Sequence, residues 1–160
     1  MGSHGPEGHS NPQEAYENRA ITELRAHGLR ITKPRIEVVK TLAESTEALS
    51  PYAIHARIKG AGGQIDVVSV YRILETLEAL DLVHHVGLAE GYRACGLDHS
   101  HASHSQHVVC RDCRKVVEID LPDPVVSQSI DSAAQAGFHE AQVKLEILAT
   151  CDDCENKSHS

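Results

Sequence analysis

Val68-Ser69-Val70-Tyr71-Arg72-Ile73-Leu74-Glu75-Thr76-Leu77-Glu78-Ala79-Leu80 runs almost directly into Leu82-Val83-His84-His85-Val86, and then into Gly91-Tyr92-Arg93-Ala94-Cys95. This junction decides the fold. Val70, Ile73, Leu74 and Leu77 recur at helical spacing, so the first stretch reads as an amphipathic helix. The two later runs are β-like and flank residues 87–90, which reads as a hairpin. A helix followed by a small hairpin closes a winged helix-turn-helix. In such modules the helix before the wing is the usual reader of the DNA major groove.

Upstream, the pattern is helical. Ala20, Ile21 and Leu24 share a face between residues 14 and 27, and Gly28, which tolerates left-handed geometry, ends that helix. Thr32-Lys33-Pro34-Arg35 supplies an N-cap and a first-turn proline, and Ile36, Val39 and Leu42 continue a second helix. Ser50-Pro51 repeats the capping logic for a short third helix containing Ile54 and Ile58.

Downstream, residues 98–107 form a His/Ser-rich loop. Two β-like runs follow, Val108-Val109 and residues 116–121, then a helix over 125–136 ended by Gly137. Val143-Lys144-Leu145-Glu146-Ile147-Leu148 alternates apolar and polar, as a strand does. The expected class is α+β. A tail over 1–12 reads as disordered, a winged-helix domain spans 13–95, a His-rich hinge loop spans 96–106, and a small α/β unit spans 107–155.

The 160 residues carry a net charge of −8, with four Tyr, one Phe and no Trp. So few rings make a thin core, which usually needs metal, disulfides or a partner chain. The charge is uneven. Residues 1–94 hold ten basic and twelve acidic side chains, residues 95–160 five and eleven, and residues 19–40 six and two. A basic stretch on an acidic chain fits local phosphate contact with little non-specific binding; a solvated helix face gives the same pattern. No run of about 18 apolar residues occurs, so no membrane partner is expected. Residues 1–10, with His4 and His9, lack the apolar region of a signal peptide. A cytoplasmic location is expected.

Cys110-x-x-Cys113 and Cys151-x-x-Cys154 lie about 40 residues apart, a spacing that supplies the four thiolates of a tetrahedral structural zinc site. Disulfides or redox thiols are the alternative, and a reducing cytosol disfavours structural disulfides. Such a zinc ion would contribute on the order of 10 kcal/mol to folding. Cys95 is left over. A lone thiol is more often a small buried hydrophobe than a ligand. Here it stands at the wing exit near His84 and His85 and near a loop carrying His99, His101, His104 and His107. Such a set is borderline-soft and suits zinc over magnesium or calcium.

Together these stretches resemble the ferric uptake regulator family. Leu29-Arg30-Ile31-Thr32-Lys33-Pro34-Arg35 is similar to the family's second-helix start, and Val68-Ser69-Val70-Tyr71-Arg72-Ile73-Leu74 to its recognition helix. His107-x-x-Cys110-x-x-Cys113 and the later Cys pair are similar to its metal knuckles. The resemblance covers residues 13–154 and is strongest to the zinc uptake regulator branch. It implies a homodimer, with 107–155 as dimerisation domain, that represses transcription when its metal-loaded form binds double-stranded operator DNA. It also implies one structural and one regulatory zinc per subunit.

For the regulatory zinc the resemblance points to His84, Cys95, Glu118 and a loop histidine. Ser103 stands where some zinc members place that histidine, and His101 and His104 flank it. Val143 stands where another family metal site takes a histidine, so that site is expected to be absent. Zinc uptake genes are the implied targets; iron-, manganese- or peroxide-responsive regulation is the alternative within the family.

Tyr52 and Arg72 are the implied DNA readers, Arg72 because a guanidinium reads guanine O6 and N7 bidentately. Arg19, Arg35 and Arg57 are candidate phosphate contacts. Ala56 and Lys59 stand where some zinc regulators pair neighbouring dimers. A zinc enzyme would need an open metal position and a general base. The H-x-E…P-C-x-x-C and H-E-x-x-H patterns are missing, so neither an enzyme nor a small-molecule substrate is expected. A zinc-storage module would leave the winged-helix half without a task.

Overall fold

The computed structural model describes residues 11–96 and 105–158. Four helices come first: α1 (Pro12–Ala26), α2 (Lys33–Glu44), α3 (Pro51–Gly60) and α4 (Val67–Ala79). The wing follows as β1 (Val83–Val86), a 3-10 turn (Gly87–Ala89) and β2 (Gly91–Ala94). The C-terminal part contains β3 (Ser105–Cys110), β4 (Val116–Asp120), α5 (Asp123–Gln135), β5 (Glu146–Ala149) and α6 (Asp152–Ser158). The class is α+β, as expected. No described helix is long and apolar enough to cross a membrane.

Side-chain caps fix where the helices begin. Thr32 accepts from Arg35 N–H, Ser50 from Ala53 N–H and Asp66 from Ser69 N–H, each satisfying an amide that the first helical turn leaves open. Asn11 does the same for α1, which therefore starts ahead of residue 14. The N-terminal core gathers Ala20 and Leu24 of α1, Val38 and Leu42 of α2, Ile54 of α3, Val70, Leu74 and Leu77 of α4, and Leu82 and Val83 at the wing. Fully burying each large aliphatic side chain contributes about 1.5–3 kcal/mol.

The wing is antiparallel, with His84 opposite Arg93 and Val86 opposite Gly91. Leu49 bridges to Tyr92 beside it, with both backbone hydrogen bonds at 2.8 Å. A Cβ on Gly91 would meet Leu49 backbone at 2.8 Å, so only glycine lets these segments approach. The C-terminal sheet has the order β4-β3-β5, with β3 antiparallel to β4 and parallel to β5. Wing and sheet meet in a small apolar cluster of Val86, Val109 and Val116.

Several boundaries differ from the sequence reading: besides α1, strand β3 begins at Ser105, within the stretch read as a loop over 98–107. The last strand covers Glu146–Ala149, not residues 143–148. Ahead of it the Gln106 side chain donates to the Val143 carbonyl and accepts from Leu145 N–H, replacing the strand ladder there. Helix α5 starts at Asp123, with Pro124 in its first turn.

Candidate metal centres and nucleic-acid interface

Parallel pairing of β3 with β5 sets Cys110 opposite Ala149, which carries the second CxxC knuckle to the end of the sheet that bears the first. The four sulfurs of Cys110, Cys113, Cys151 and Cys154 all lie within 4.8 Å of one another. Cys113 Sγ is 3.7 Å from Cys151 Sγ, and all four thiols are free. Amide N–H groups of Cys113 and Cys151 pull the Cys110 thiol down to about 6. The thiols of Cys151 and Cys113 push Cys154 up to about 12. The Cys110 thiolate forms readily, and Cys113 and Cys154 resist ionisation. A divalent cation removes that resistance, so the donor set fits a structural metal ion.

A second cluster lies between wing and sheet. The donor atoms of His84 on β1, Cys95 just after β2 and Glu118 on β4 lie within 4.8 Å of one another. Cys95 is only 2% exposed. Glu118 Oε1 is 3.8 Å from His84 Nε2 and 3.6 Å from His107 Nε2, and its Oε2 accepts from Gly96 N–H at 3.0 Å. Burial works to raise the Glu118 carboxyl. The contact with His107, the charge of His84 and the Gly96 amide outweigh it and hold the group below its usual range. Glu118 Oε1 and His107 Nε2 are buried without a hydrogen-bond partner, which points both toward a shared ligand.

His107 is the residue that sequence reasoning missed at this cluster. The sequence reading has it as part of the knuckle motif and as one of four histidines in the loop near Cys95, and does not choose it as a ligand. Its signal was register, because a β3 residue directly opposite Glu118 shares a face with it. The loop residues His101 and His104, like His4, His9 and His99, lie outside the described residues.

Helix α4 turns Val68, Tyr71 and Arg72 outward, and Tyr52 at the start of α3 is 65% exposed. Tyr52 and Tyr71 meet edge to face, with ring centroids 6.3 Å apart. Glu75 and Glu78 continue the exposed face, so only the first turns of α4 suit a phosphate-lined groove. Arg57 is exposed on α3, and Arg35 donates to the Arg30 carbonyl. Arg19 departs from expectation. Its guanidinium turns inward, donating to the Cys95 carbonyl and lying 5.5 Å over the Tyr16 ring.

The family model described as "Ferric uptake regulator family" matches residues 26–148. The chain belongs to the ferric uptake regulator family. It is therefore a metal- and DNA-binding transcription regulator, not an enzyme. The ferric uptake regulation protein of Legionella pneumophila is 31% identical over 135 residues, covering 83% of this chain and 96% of that one. The zinc uptake regulation protein of Mycobacterium tuberculosis (strain CDC 1551 / Oshkosh) is 29% identical over 134 residues, covering 82% and 98%. Among solved structures, a zinc uptake regulator complexed with zinc and DNA has a TM-score of 0.83 at 23% identity. That match covers 94% of this regulator and all of the solved chain, and it shows that the two share a fold.

Proposed function

We propose that this regulator is a zinc-responsive repressor that binds operator DNA as a metal-loaded homodimer in the cytoplasm and controls zinc uptake genes. The observation that carries the reading is the Cys95 thiol within 4.8 Å of the His84 and Glu118 donor atoms. A buried thiol beside imidazole and carboxylate favours a borderline-soft cation over hard ones, which supports zinc over iron or manganese. Relatives bearing both iron and zinc names are similar at comparable identity, so the support for zinc comes from the donor chemistry.

The zinc quartet Cys110, Cys113, Cys151 and Cys154 is structural in this reading. The regulatory site comprises His84, Cys95 and Glu118, with a fourth donor from His101 or His104 of the loop or from the adjacent His107. His84 and Cys95 belong to the DNA-binding domain (13–95), and Glu118 to the dimerisation domain (107–155). An ion held there is bonded to both domains and fixes their angle. Freed from it, the domains sample other angles, and operator affinity falls by the fraction of time spent competent.

Two features support the homodimer. β5 is an edge strand. Ile147, Leu148, Val117, Ile130 and Phe138 of the C-terminal part are all more than a third exposed, Phe138 at 69%. Such a surface fits burial against a second copy. In the complex Arg72 reads a base, Val68, Tyr71 and Tyr52 lie against thymine methyls, and Arg57 and Arg35 lie near phosphates.

The test is a zinc titration of wild type and Cys95→Ser, read by operator binding and metal content. The variant is expected to keep one zinc per subunit and its dimer but to lose zinc-dependent DNA binding. A wild-type zinc response in Cys95→Ser would place the sensor elsewhere.

A further inference from the structure

The wing is fastened to the C-terminal sheet at a second place, the tip of the hairpin. Glu146 accepts from Gly87 N–H at 2.8 Å with one carboxylate oxygen and from Leu88 N–H at 2.7 Å with the other. These amides open the 3-10 turn at the tip of the hairpin, where the turn itself supplies no acceptor. Lys144 completes the contact, donating to the His85 carbonyl at 2.8 Å with its ammonium 3.6 Å from Glu146. A carboxylate on two backbone N–H groups forms charge-assisted hydrogen bonds, which are the stronger kind.

The sheet explains why both attachments exist. His107 on β3 is the register partner of Glu118 on β4 and of Glu146 on β5. The two carboxylates therefore flank one histidine in a single row across the same face. Glu118 takes the hairpin at its exit, through Gly96, and Glu146 takes it at its tip.

We propose that Glu146 is a positioning residue for DNA binding, clasping the wing tip so that α4 is presented at one angle to the dimerisation sheet. The proposal rests on the DNA-binding reading above. One attachment leaves the domains free to swivel about it, whereas two at opposite ends of a hairpin remove most of that freedom. The clasp uses only protein groups and so needs no metal, whereas an ion at the regulatory site would reinforce the second attachment, between Glu118 and the hairpin exit. Free domains would spread over many angles, and affinity would follow the competent fraction.

The test uses Glu146→Ala and Glu146→Gln in the full chain, with the regulatory metal present and removed. Amide exchange at Gly87 and Leu88 reads the clasp directly. Exchange is expected to be slow in wild type in both states and about tenfold or more faster in Glu146→Ala. Glu146→Gln, which keeps one acceptor oxygen, is expected to fall between. Operator affinity at saturating zinc is expected to drop about tenfold in Glu146→Ala, with the dimer and the four-cysteine metal retained. Unchanged exchange in Glu146→Ala overturns the clasp, and faster exchange with undiminished operator affinity overturns its positioning role. Should wild type itself fail to bind operator with zinc, the DNA-binding reading falls, while the exchange rates still decide the clasp.

Discussion

His107 and Glu118 face each other across the β3–β4 ladder, with imidazole Nε2 and carboxylate Oε1 3.6 Å apart. Neither atom has a hydrogen-bond partner, and His84 Nε2 approaches the same oxygen at 3.8 Å, its ring centroid 5.5 Å from that of His107. A motif histidine of the cysteine knuckle thus reaches into the cluster of His84, Cys95 and Glu118. Substituting His107 by Ala is expected to weaken zinc at the regulatory site by about 10–100-fold, the usual effect of removing a ligand or its immediate support. The four-cysteine zinc is expected to stay bound. Competition with a zinc chelator measures both, and unchanged regulatory affinity would show that His107 only fills space.

Cys113→Ser is expected to remove the structural metal, because its sulfur lies 3.7 Å from Cys151 and closes the quartet. The C-terminal part buries little apolar area of its own, with Val126 the one buried side chain of α5, so loss of the metal should cost several kcal/mol of a binding term on the order of 10 kcal/mol. Circular dichroism and sedimentation should report unfolding or monomerisation. A well-folded, zinc-free dimer would contradict this.

Arg72→Ala is expected to lose about 1–3 kcal/mol of operator binding and to relax preference at one base pair. Val68→Ser should act differently, by weakening contact with a thymine methyl. Replacing thymine by deoxyuridine, position by position in the operator, should mimic the Val68 substitution and not the Arg72 one. Equal losses for Arg72→Ala on operator and random DNA would assign that residue to phosphate binding.

Tyr16 predicts an alkaline limit to stability. Its hydroxyl donates to the Leu82 carbonyl at 3.0 Å and is buried. Burial, the largest influence, pushes the phenol well above the ordinary 10.0, and the nearby Arg19 charge only partly opposes it. The folded state thus holds the proton more tightly than the unfolded state. Its contribution is complete below the unfolded value near 10 and declines as pH rises above it. Tyr16→Phe is expected to be less stable by about 1 kcal/mol at neutral pH, with the gap to wild type narrowing in alkali. Denaturant unfolding at several pH values measures this, and a gap constant across pH would refute it.

The sequence alone determined the local features of this regulator. Helix starts follow from Thr32 and Ser50, whose side chains cap amides only three residues away. The wing follows from two short β-like runs around a turn, and the metal knuckles from cysteines two residues apart. These signals are legible because the interactions behind them span a few residues. The tertiary structure decided the rest. Resemblance could suggest His84, Cys95 and Glu118, but their approach depends on the wing packing Val86 against Val109 and Val116. Arg19 carries the same charge as any surface arginine until α1 packs beside the wing exit and turns it onto Cys95. Glu146 looks like the polar position of an alternating strand until the parallel register with β3 sets it beneath the turn amides of Gly87 and Leu88. Apart from the approach of His84 to Cys95 within the wing, each of these contacts joins residues more than twenty positions apart, and no local pattern encodes such a distance.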